Sequence, residues 1–385
     1  MIDWLGEANS LQVDMHTHTR FSDGRWELSK LADSALLNGC HAIAITDHAE
    51  KGSDAATPTY LHAITEQRQR SRYPLIIAGL EWNIPPYRGR EHVNILVHPS
   101  LEPQLIAFSQ HFRKTNDPGP ALQWLSERNN ESTILAFYNH PARRDERLEE
   151  NEEDFLSWTP KGSVIVGFEG GPGHQKKASP GDYKNVLATV DGWDPVVADV
   201  GGVWDSLLDA GRDPWGALAN SDFHNDRGDY LPCEFSRTHV DTPEMSASGV
   251  LRGLKAGAFW GETGAFLQEL RLRVGSPDLI FDASPGESFA LGDQRVITVE
   301  VMLKPELKAK DQTLTIELIG NLASGEPEVI ETRAINSNVT TVTTSITNPI
   351  VGGDGESGYL RIRVSSEGAD GRRFIAYTNH VRVLL

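Results

Sequence analysis

The chain has 385 residues, of which 39% are hydrophobic and 23% are charged. This composition is typical of a folded protein with ample material for a core, and it excludes general disorder. The formal net charge of -18 disfavours nucleic acid and anionic membrane surfaces as partners, because no long-range field draws the protein to them. At roughly 150 residues per domain, the length predicts two or three domains.

Neither a membrane span nor a cysteine framework is indicated. The longest apolar runs, LIIAGL at 75–80 and SVIVGF at 163–168, are far shorter than the roughly 18 residues of a membrane span. The first ten residues lack the features of a signal peptide, which predicts a cytoplasmic location; a leader that has been removed is the alternative left open. Cys40 and Cys233 show no paired spacing, so we expect two buried free thiols.

Short β-rich runs alternate with helical patterns over the first 265 residues. In ELSKLADSALLNG (27–39), apolar residues repeat at helical spacing and Gly39 supplies a stop. Strand and helix in alternation predict an α/β fold with a parallel sheet, and about seven strands without a glycine-rich phosphate turn favour a barrel over an open sheet. The predicted strands are LQVDMH (11–16), AIAIT (42–46), LIIAGLEW (75–82), HVNILVH (92–98), TILAFYNH (133–140), VIVGFE (164–169) and ALANSDFH (217–224).

After Gly264 the pattern changes to strands separated by turns. Runs such as VITVEVML, LTIELIG and YLRIRVSS alternate with period two and are rich in valine and threonine. This pattern predicts an antiparallel all-β sandwich. We therefore expect a barrel at residues 1–265 and a β-sandwich domain at residues 266–385.

Several predicted strands of the first domain end in imidazoles or carboxylates. These include the HTH motif at 16–18, Asp47 with His48, and the SDFH motif at 221–224. Because the carboxyl ends of parallel barrel strands share one face, we expect these groups to converge at its mouth. Two histidines in an HxH motif at a strand end point to the same side and can bind one metal ion.

The motifs VDMHTHTRFSDGR, ITDH, GLEW, HVNILV, NHP and SDFH, in this order, resemble the PHP family of polymerase and histidinol phosphatase type metallohydrolases. The stretch WDSLLDAGRDPWGALANSDFH and the C-terminal β-domain are similar to its carbaryl-hydrolase-like branch. The resemblance covers residues 11 to 265 and implies a distorted TIM-like barrel with a trinuclear metal site. The ligands that it implies are His16, His18, Asp23, His48, Glu81, His92, His140, Asp222 and His224.

The resemblance also implies how the ligands are shared. One ion would be held by His16, His18, Glu81 and Asp222, a second by Glu81, His92 and His140, and a third by Asp23, His48 and His224. Imidazole and carboxylate ligands without thiolate fit zinc, manganese or iron, and we expect two to three divalent ions. Three carboxylates among three divalent ions would leave the site positively charged, which favours an anionic phosphate ester.

The expected function is that of a metal-dependent phosphoesterase that uses a metal-bridging hydroxide on a small-molecule phosphate ester. A carboxyl-ester or carbamate hydrolase with the same mechanism is one alternative, and an inactive PHP-like binding module is another. Beyond the ligands, Asp47 is expected to orient a histidine ligand, and arginines that follow ligands could clamp an anion or form surface salt bridges. The expected catalytic residues are Glu81, Asp222, Arg25 and Arg143, with Arg227 as a further possible clamp.

Overall fold

The fold is described here from a computed structural model. It covers residues 9–49, 53–85, 91–129, 134–143, 147–160, 163–173, 183, 187–278, 281–306, 312–349, 357–368 and 371–384. Among these residues, no helix combines the length and apolar character that crossing a membrane requires. His174, which lies in the glycine-rich segment after the sixth predicted strand, is outside the described residues.

The first part of the chain alternates strands and helices, as the sequence predicts. Its strands are β1 (Asn9–Asp14), β2 (Ala42–Ile45), β3 (Leu75–Ile84), β4 (Glu91–Val97), β5 (Ile134–Asn139), β6 (Ile165–Gly171), β7 (Trp215–Ala219), β8 (Ser236–Thr242) and β9 (Phe259–Thr263). Its helices are α1 (Leu28–Leu37), α2 (Pro58–Arg70), α3 (Pro103–Phe112), α4 (Gly119–Arg128), α5 (Leu148–Trp158), α6 (Pro195–Ala198), α7 (Val203–Asp209) and α8 (Ala247–Lys255), with short 3-10 turns at Pro99–Leu101 and Pro141–Arg143.

Beyond Lys255 the described residues form strands and no helix. These strands are β10 (Leu267–Gly275), β11 (Phe281–Ala283), β12 (Ser288–Ala290), β13 (Val296–Pro305), β14 (Thr313–Gly320), β15 (Glu328–Asn336), β16 (Thr341–Thr347), β17 (Ser357–Glu367), β18 (Arg373–Thr378) and β19 (Val381–Leu384). The order β11-β10-β13-β16 makes a separate four-stranded sheet. Apolar side chains from β13, β14 and β17 share one hydrophobic cluster, so the β-rich C-terminal region that the sequence predicts is present.

The prediction that the first sheet is parallel throughout is wrong for β4. Its neighbours β3 and β5 both pair with it in the antiparallel sense, whereas β1 with β2, β2 with β3, β5 with β6, and β6 with β7 are parallel. Only residues 85–90 separate β3 from β4. A parallel connection needs a crossover of a dozen or more residues, so this short link forces the chain to turn back.

The large sheet has 15 strands, and its backbone ladders do not close a barrel in the described part of the chain. Strand β7 forms one end of the hydrogen-bonded order. Its edge is instead satisfied by side chains: Asn379 accepts hydrogen bonds from the backbone of Gly216 and Ala217, and the Thr238 hydroxyl bonds both backbone groups of Ala219. Because edge groups need partners, these two side chains take the place of a closing strand.

Two features join the strand-helix region to the β-rich region. The large sheet continues across residue 265, since β9 pairs with β18. In addition, the guanidinium of Arg361 in β17 donates two hydrogen bonds of 2.8 Å to the carboxylate of Asp205 in α7, and both side chains are fully buried. A fully buried bidentate pair leaves an unpaired charge when either partner is removed, so it couples the two regions.

The expectation of two free thiols is wrong, because Cys40 and Cys233 form a disulfide with their Cα atoms 5.8 Å apart. Both residues are buried, as expected. The two positions are separated by 193 residues in sequence and meet only because β2 begins beside the segment that leads into β8. A pair brought together by the fold in this way leaves no spacing pattern in the sequence.

Candidate metal centre

All nine predicted ligands come together at one end of the strands β1 to β7. The HTH motif follows β1, His48 follows β2, His140 follows β5, and the SDFH motif follows β7. His92 is the second residue of β4, and it joins the others because β4 runs antiparallel, which places its beginning beside the end of β5. The corrected strand direction therefore explains how a ligand at the start of a strand reaches this site.

The innermost ligands are His16, His18, Glu81 and Asp222, which could hold one metal ion. Their side chains are almost completely buried. The Nε2 atoms of His16 and His18 lie 3.3 and 3.1 Å from Oε2 of Glu81, and both lie 3.2 Å from Oδ1 of Asp222. Four ligand atoms thus surround one point in a site without solvent.

A second group, closer to solvent, consists of His18, Asp23, His48 and His224. Oδ2 of Asp23 lies 3.3 Å from Nε2 of His224 and 3.9 Å from Nε2 of His48. The side chain of Asp23 is 57% exposed, and those of the two histidines are 16% exposed. This outer group is therefore nearer to the surface than the inner group.

Glu81 connects the groups. Its Oε2 lies 3.2 Å from Nε2 of His48, and its Oε1 lies 2.9 Å from Nδ1 of His92 and 3.5 Å from Nε2 of His140. The third set that could hold an ion is His48, Glu81 and His92. This differs from the division implied by the resemblance, which pairs His92 with His140 and leaves His48 with the outer group.

The charge pattern of the site suits a cation. Burial by itself would lower the pKa of His18, yet hydrogen bonds and charges from Asp222 and Glu81 raise it to about 10. Burial opposes ionisation of Glu81 as well, but the surrounding imidazoles hold the pKa of its carboxyl well below the usual range. The carboxylates therefore draw a positive charge into the inner group, and a divalent ion satisfies the same demand.

Two other imidazoles stay neutral, as a metal ligand must. Burial lowers the pKa of His48 to about 4 and that of His140 to about 3. A neutral imidazole offers a lone pair, so both side chains are ready to bind an ion at neutral pH. The backbone at His140 and Asp222 is left-handed, with φ of 31° and 46°. Non-glycine residues rarely adopt this conformation, and such strain concentrates at functional sites.

Glu169 is not among the predicted ligands or catalytic residues, and it is fully buried near the end of β6. Its Oε1 lies 3.0 Å from Nδ1 of His16, and because a carboxylate only accepts, His16 donates and turns Nε2 toward the inner group. Its position at a strand end is the one signal that could have identified it. Together with Asp14, whose pKa burial raises to about 7, Glu169 adds buried carboxyl groups and reduces the positive charge expected for the loaded site.

Asp47 holds a loop rather than a histidine ring. Its carboxylate accepts hydrogen bonds from the backbone and hydroxyl of Thr19 and from the hydroxyl of Ser22. The Ser22 hydroxyl in turn lies 3.5 Å from Nδ1 of His18. Asp47 therefore acts on His18 through the Ser22 hydroxyl and through its charge, and the orientation of a histidine by Asp47 stays a prediction.

The three arginines differ in position. Nη1 of Arg143 lies 3.4 Å from Oδ2 of Asp222, with a third of its side chain exposed, so one guanidinium reaches the centre. Arg25 and Arg227 are exposed. The backbone N–H of Arg25 donates to the carbonyl of His224 at 2.8 Å, which fixes its Cα beside the outer group.

Comparison with known proteins finds a family model that matches part of the chain. Residues 14–160 match the family model of the PHP domain. This region contains seven of the nine predicted ligands, all except Asp222 and His224. A search of curated proteins finds no match.

Three solved structures are similar at low identity. A two-domain protein from Bacteroides vulgatus, whose name includes a PHP-like metal-dependent phosphoesterase, is 15% identical over 100% of this chain and 98% of its own, with a TM-score of 0.47. A protein from Bifidobacterium adolescentis, whose name suggests a metal-dependent phosphoesterase, is 13% identical over 57% of this chain and 90% of its own, with a TM-score of 0.34. An amidohydrolase from Chromobacterium violaceum is 17% identical over 38% of this chain and 72% of its own, with a TM-score of 0.24. At these scores none of them bears on function, and the chain is similar to the PHP domain at residues 14–160.

Proposed function

We propose that this protein is a metal-dependent phosphoesterase that binds two to three divalent ions and hydrolyses a small-molecule phosphate ester. The observation that carries the proposal is the buried inner group, in which two imidazoles and two carboxylates surround one point. Because both carboxylates face the same two imidazoles, this group needs positive charge at its centre, and a divalent ion would supply that charge to all four ligand atoms at once.

The donor set fits the ions. Imidazole and carboxylate without thiolate suit zinc, manganese or iron. His16, His18, Glu81 and Asp222 would hold the inner ion, and His48, His92 and His140 stand next to Glu81 for a second. Asp23, His48 and His224 would take a third. When bound, such ions lower the pKa of water and polarise phosphoryl oxygens.

The residues of the chain then have separate tasks. Glu81 and Asp222 hold the inner histidines in place, and the outer group, in which Asp23 is half-exposed, is proposed to lie beside the substrate. The guanidinium of Arg143 stands beside Asp222, where it can donate to a phosphoryl oxygen in a fixed geometry. Arg25, exposed beside the outer group, is proposed to contact the part of the substrate that remains outside.

A carboxyl-ester or carbamate hydrolase of the carbaryl-hydrolase-like kind is the second candidate. The observation that favours it is that the guanidinium of Arg143 is already engaged by Asp222. A carbonyl substrate needs no anion clamp, so this candidate predicts that Arg143 is dispensable. The binding-module alternative predicts bound metal without turnover.

The domain division at residue 265 is also kept as a proposal. The location needs revision, because the Cys40–Cys233 disulfide argues against the cytoplasmic location that we expected. Disulfides persist in oxidising compartments and are rare in reducing ones. We therefore propose that the protein works in an oxidising compartment.

A substrate panel tests the function. Metal-loaded protein should be given nitrophenyl phosphate monoester, nitrophenyl phosphate diester and nitrophenyl carboxyl ester at equal concentrations. The proposal predicts the highest kcat/KM for one of the two phosphate esters. A higher value for the carboxyl ester would support the second candidate, and bound metal without any turnover would support the binding module.

A further inference from the structure

We propose that Glu169 is a positioning residue that sets the affinity of the inner metal site, although it is not itself a ligand. This inference rests on the metal-binding part of the proposed function. It starts from three donors that converge on one buried carboxylate. Oε1 of Glu169 accepts from Nδ1 of His16 at 3.0 Å and from Nδ2 of Asn220 at 2.9 Å, while Oε2 accepts from the backbone N–H of His140 at 3.2 Å.

These three donors belong to different parts of the site. His16 follows β1, His140 follows β5, and Asn220 follows β7 two residues before the ligand Asp222. Asn220 extends the connection, because its Oδ1 accepts from the backbone N–H of Met15 at 2.7 Å. One carboxylate thereby ties together the backbone next to His16, the ring of His16, and the segments that carry two further ligands.

The local backbone is built to place this side chain. The ladder between β6 and β7 shifts register on both sides of Glu169, between Gly167 and Glu169 and again between Glu169 and Gly171. Such irregularities re-aim a side chain. A Cβ added at Gly167 or Gly170 would lie only 2.1 or 2.2 Å from a backbone oxygen of β7, so these glycines allow the close approach of the two strands.

The chemistry explains why a carboxylate is needed. Two carboxylate oxygens can accept all three hydrogen bonds, whereas the amide of glutamine has one accepting oxygen and an NH2 group that only donates. In Glu169→Gln at least one N–H donor would therefore face another donor in a buried place. Ligating histidines depend on such partners for ring orientation, and removing the partner usually weakens metal binding about 10 to 100-fold.

Glu262 offers a matched control. It is also a fully buried glutamate with a histidine partner, since its Oε1 lies 3.0 Å from Nε2 of His239 and its Oε2 accepts from the backbone N–H of Phe266. His239 belongs to none of the groups of described residues that could hold a metal. Glu262 also accepts a hydrogen bond of 2.6 Å from the guanidinium of Arg237, so Glu262→Gln imposes at least as large a structural loss without touching the metal site.

The experiment measures metal binding directly. Metal is removed from four proteins, which are then titrated with Zn²⁺ against a chromophoric chelator. These are the wild type, Glu169→Gln, Glu169→Asp and Glu262→Gln. Co²⁺ absorption spectra of the same proteins report the coordination geometry. We expect the tightest site to weaken about 10 to 100-fold in Glu169→Gln with a changed Co²⁺ spectrum, and to weaken less in Glu169→Asp, which keeps the charge. Glu262→Gln should bind as the wild type does, even if it unfolds at a lower temperature.

Wild-type affinity and an unchanged Co²⁺ spectrum in Glu169→Gln would overturn the inference. An equal loss of affinity in Glu262→Gln would overturn it too, because the effect would then follow from general destabilisation. If Glu169→Gln does not fold, wild-type affinity in Glu169→Asp has the same meaning, since the shorter side chain cannot reach all three donors. A wild-type protein that binds no metal would instead contradict the proposed function itself.

Discussion

The Nε2 atoms of His16 and His18 face each other at 3.1 Å, and the carboxylates of Glu81 and Asp222 flank both. Two imidazole nitrogens at this distance repel unless something positive or a shared proton lies between them. The raised pKa values of both histidines express the same demand, which the carboxylates create against the opposing effect of burial. A divalent ion held by this pair and the two carboxylates would meet that demand.

Substitutions of Glu81 and Asp47 should differ sharply in their effect on metal content and kcat. Glu81→Gln keeps the size of the side chain but removes the charge that five surrounding histidines share. We expect loss of at least one ion and a drop in kcat of more than about 10³-fold. Asp47→Asn leaves every ligand in place and loosens only the loop at Thr19 and Ser22, so it should cost about 10 to 100-fold. Metal analysis and kcat of both variants check the ranking, which the reverse order would refute.

Substitution of Arg143 distinguishes the phosphoesterase from the carboxyl-ester hydrolase. A charge-assisted hydrogen bond contributes about 1.5 to 3 kcal/mol, so Arg143→Ala should lower kcat/KM for a phosphate ester by about 10 to 100-fold. Turnover of a carboxyl ester should change little. Arg252→Ala serves as the control, because Arg252 is an exposed residue of α8 that pairs with Glu244. Equal losses on both substrates would mean that Arg143 supports the site rather than clamping an anion.

The disulfide should contribute to stability. Cross-linking two residues 193 positions apart restricts the unfolded chain, which corresponds to about 2 to 5 kcal/mol. We expect the double variant Cys40→Ser, Cys233→Ser to unfold at lower urea concentration than the wild type. Adding a reductant should shift the wild type in the same direction and leave the variant unchanged. Two titratable thiols in the unreduced, denatured wild type would show that the bond does not form.

Asp241 predicts a specific pH dependence of stability. Burial raises the pKa of its carboxyl to about 6, against the opposing charge of Arg271 and a hydrogen bond from Ser10. The pKa of Asp241 is higher in the folded than in the unfolded protein. Its contribution to the free energy of unfolding is therefore favourable below about pH 4 and is lost as the pH rises through about 6.

The comparison with Asp241→Asn isolates this contribution, because Asp14 and Asp194, whose pKa values burial raises to about 7, titrate in both proteins. Thermal unfolding from pH 4 to pH 8 should show the variant gaining stability relative to the wild type. A difference in Tm that is constant with pH would refute the assignment.

The strands and ligands of the first half could be predicted because each carries a local signal. Strands β2, β3 and β5 contain continuous apolar runs, whereas apolar and polar residues alternate in β1. The HTH motif follows β1 and the SDFH motif follows β7. The antiparallel direction of β4 follows instead from the short link, residues 85–90, between β3 and β4. The sequence pattern does not indicate strand β15, because Glu328, Glu331 and Arg333 interrupt the alternation of apolar and polar residues. This strand is half-exposed at a sheet edge.

The supporting residues of the site could not be predicted in the same way. Glu169 is a single glutamate in a glycine-rich run, and its role depends on three donors that are distant in sequence. The disulfide likewise joins positions whose proximity exists only in the fold. Ligands can be recognised from their spacing, whereas the groups that hold them are determined by tertiary packing.

Metal removal and restoration, followed through both ion content and turnover, test the central claim most directly. Protein treated with a chelator should lose its two to three ions together with hydrolysis of nitrophenyl phosphate ester. Stepwise addition of Zn²⁺ or Mn²⁺ should restore the rate in proportion to the ions bound, up to the original content. Hydrolysis at an unchanged rate by protein shown to contain no metal would contradict the account.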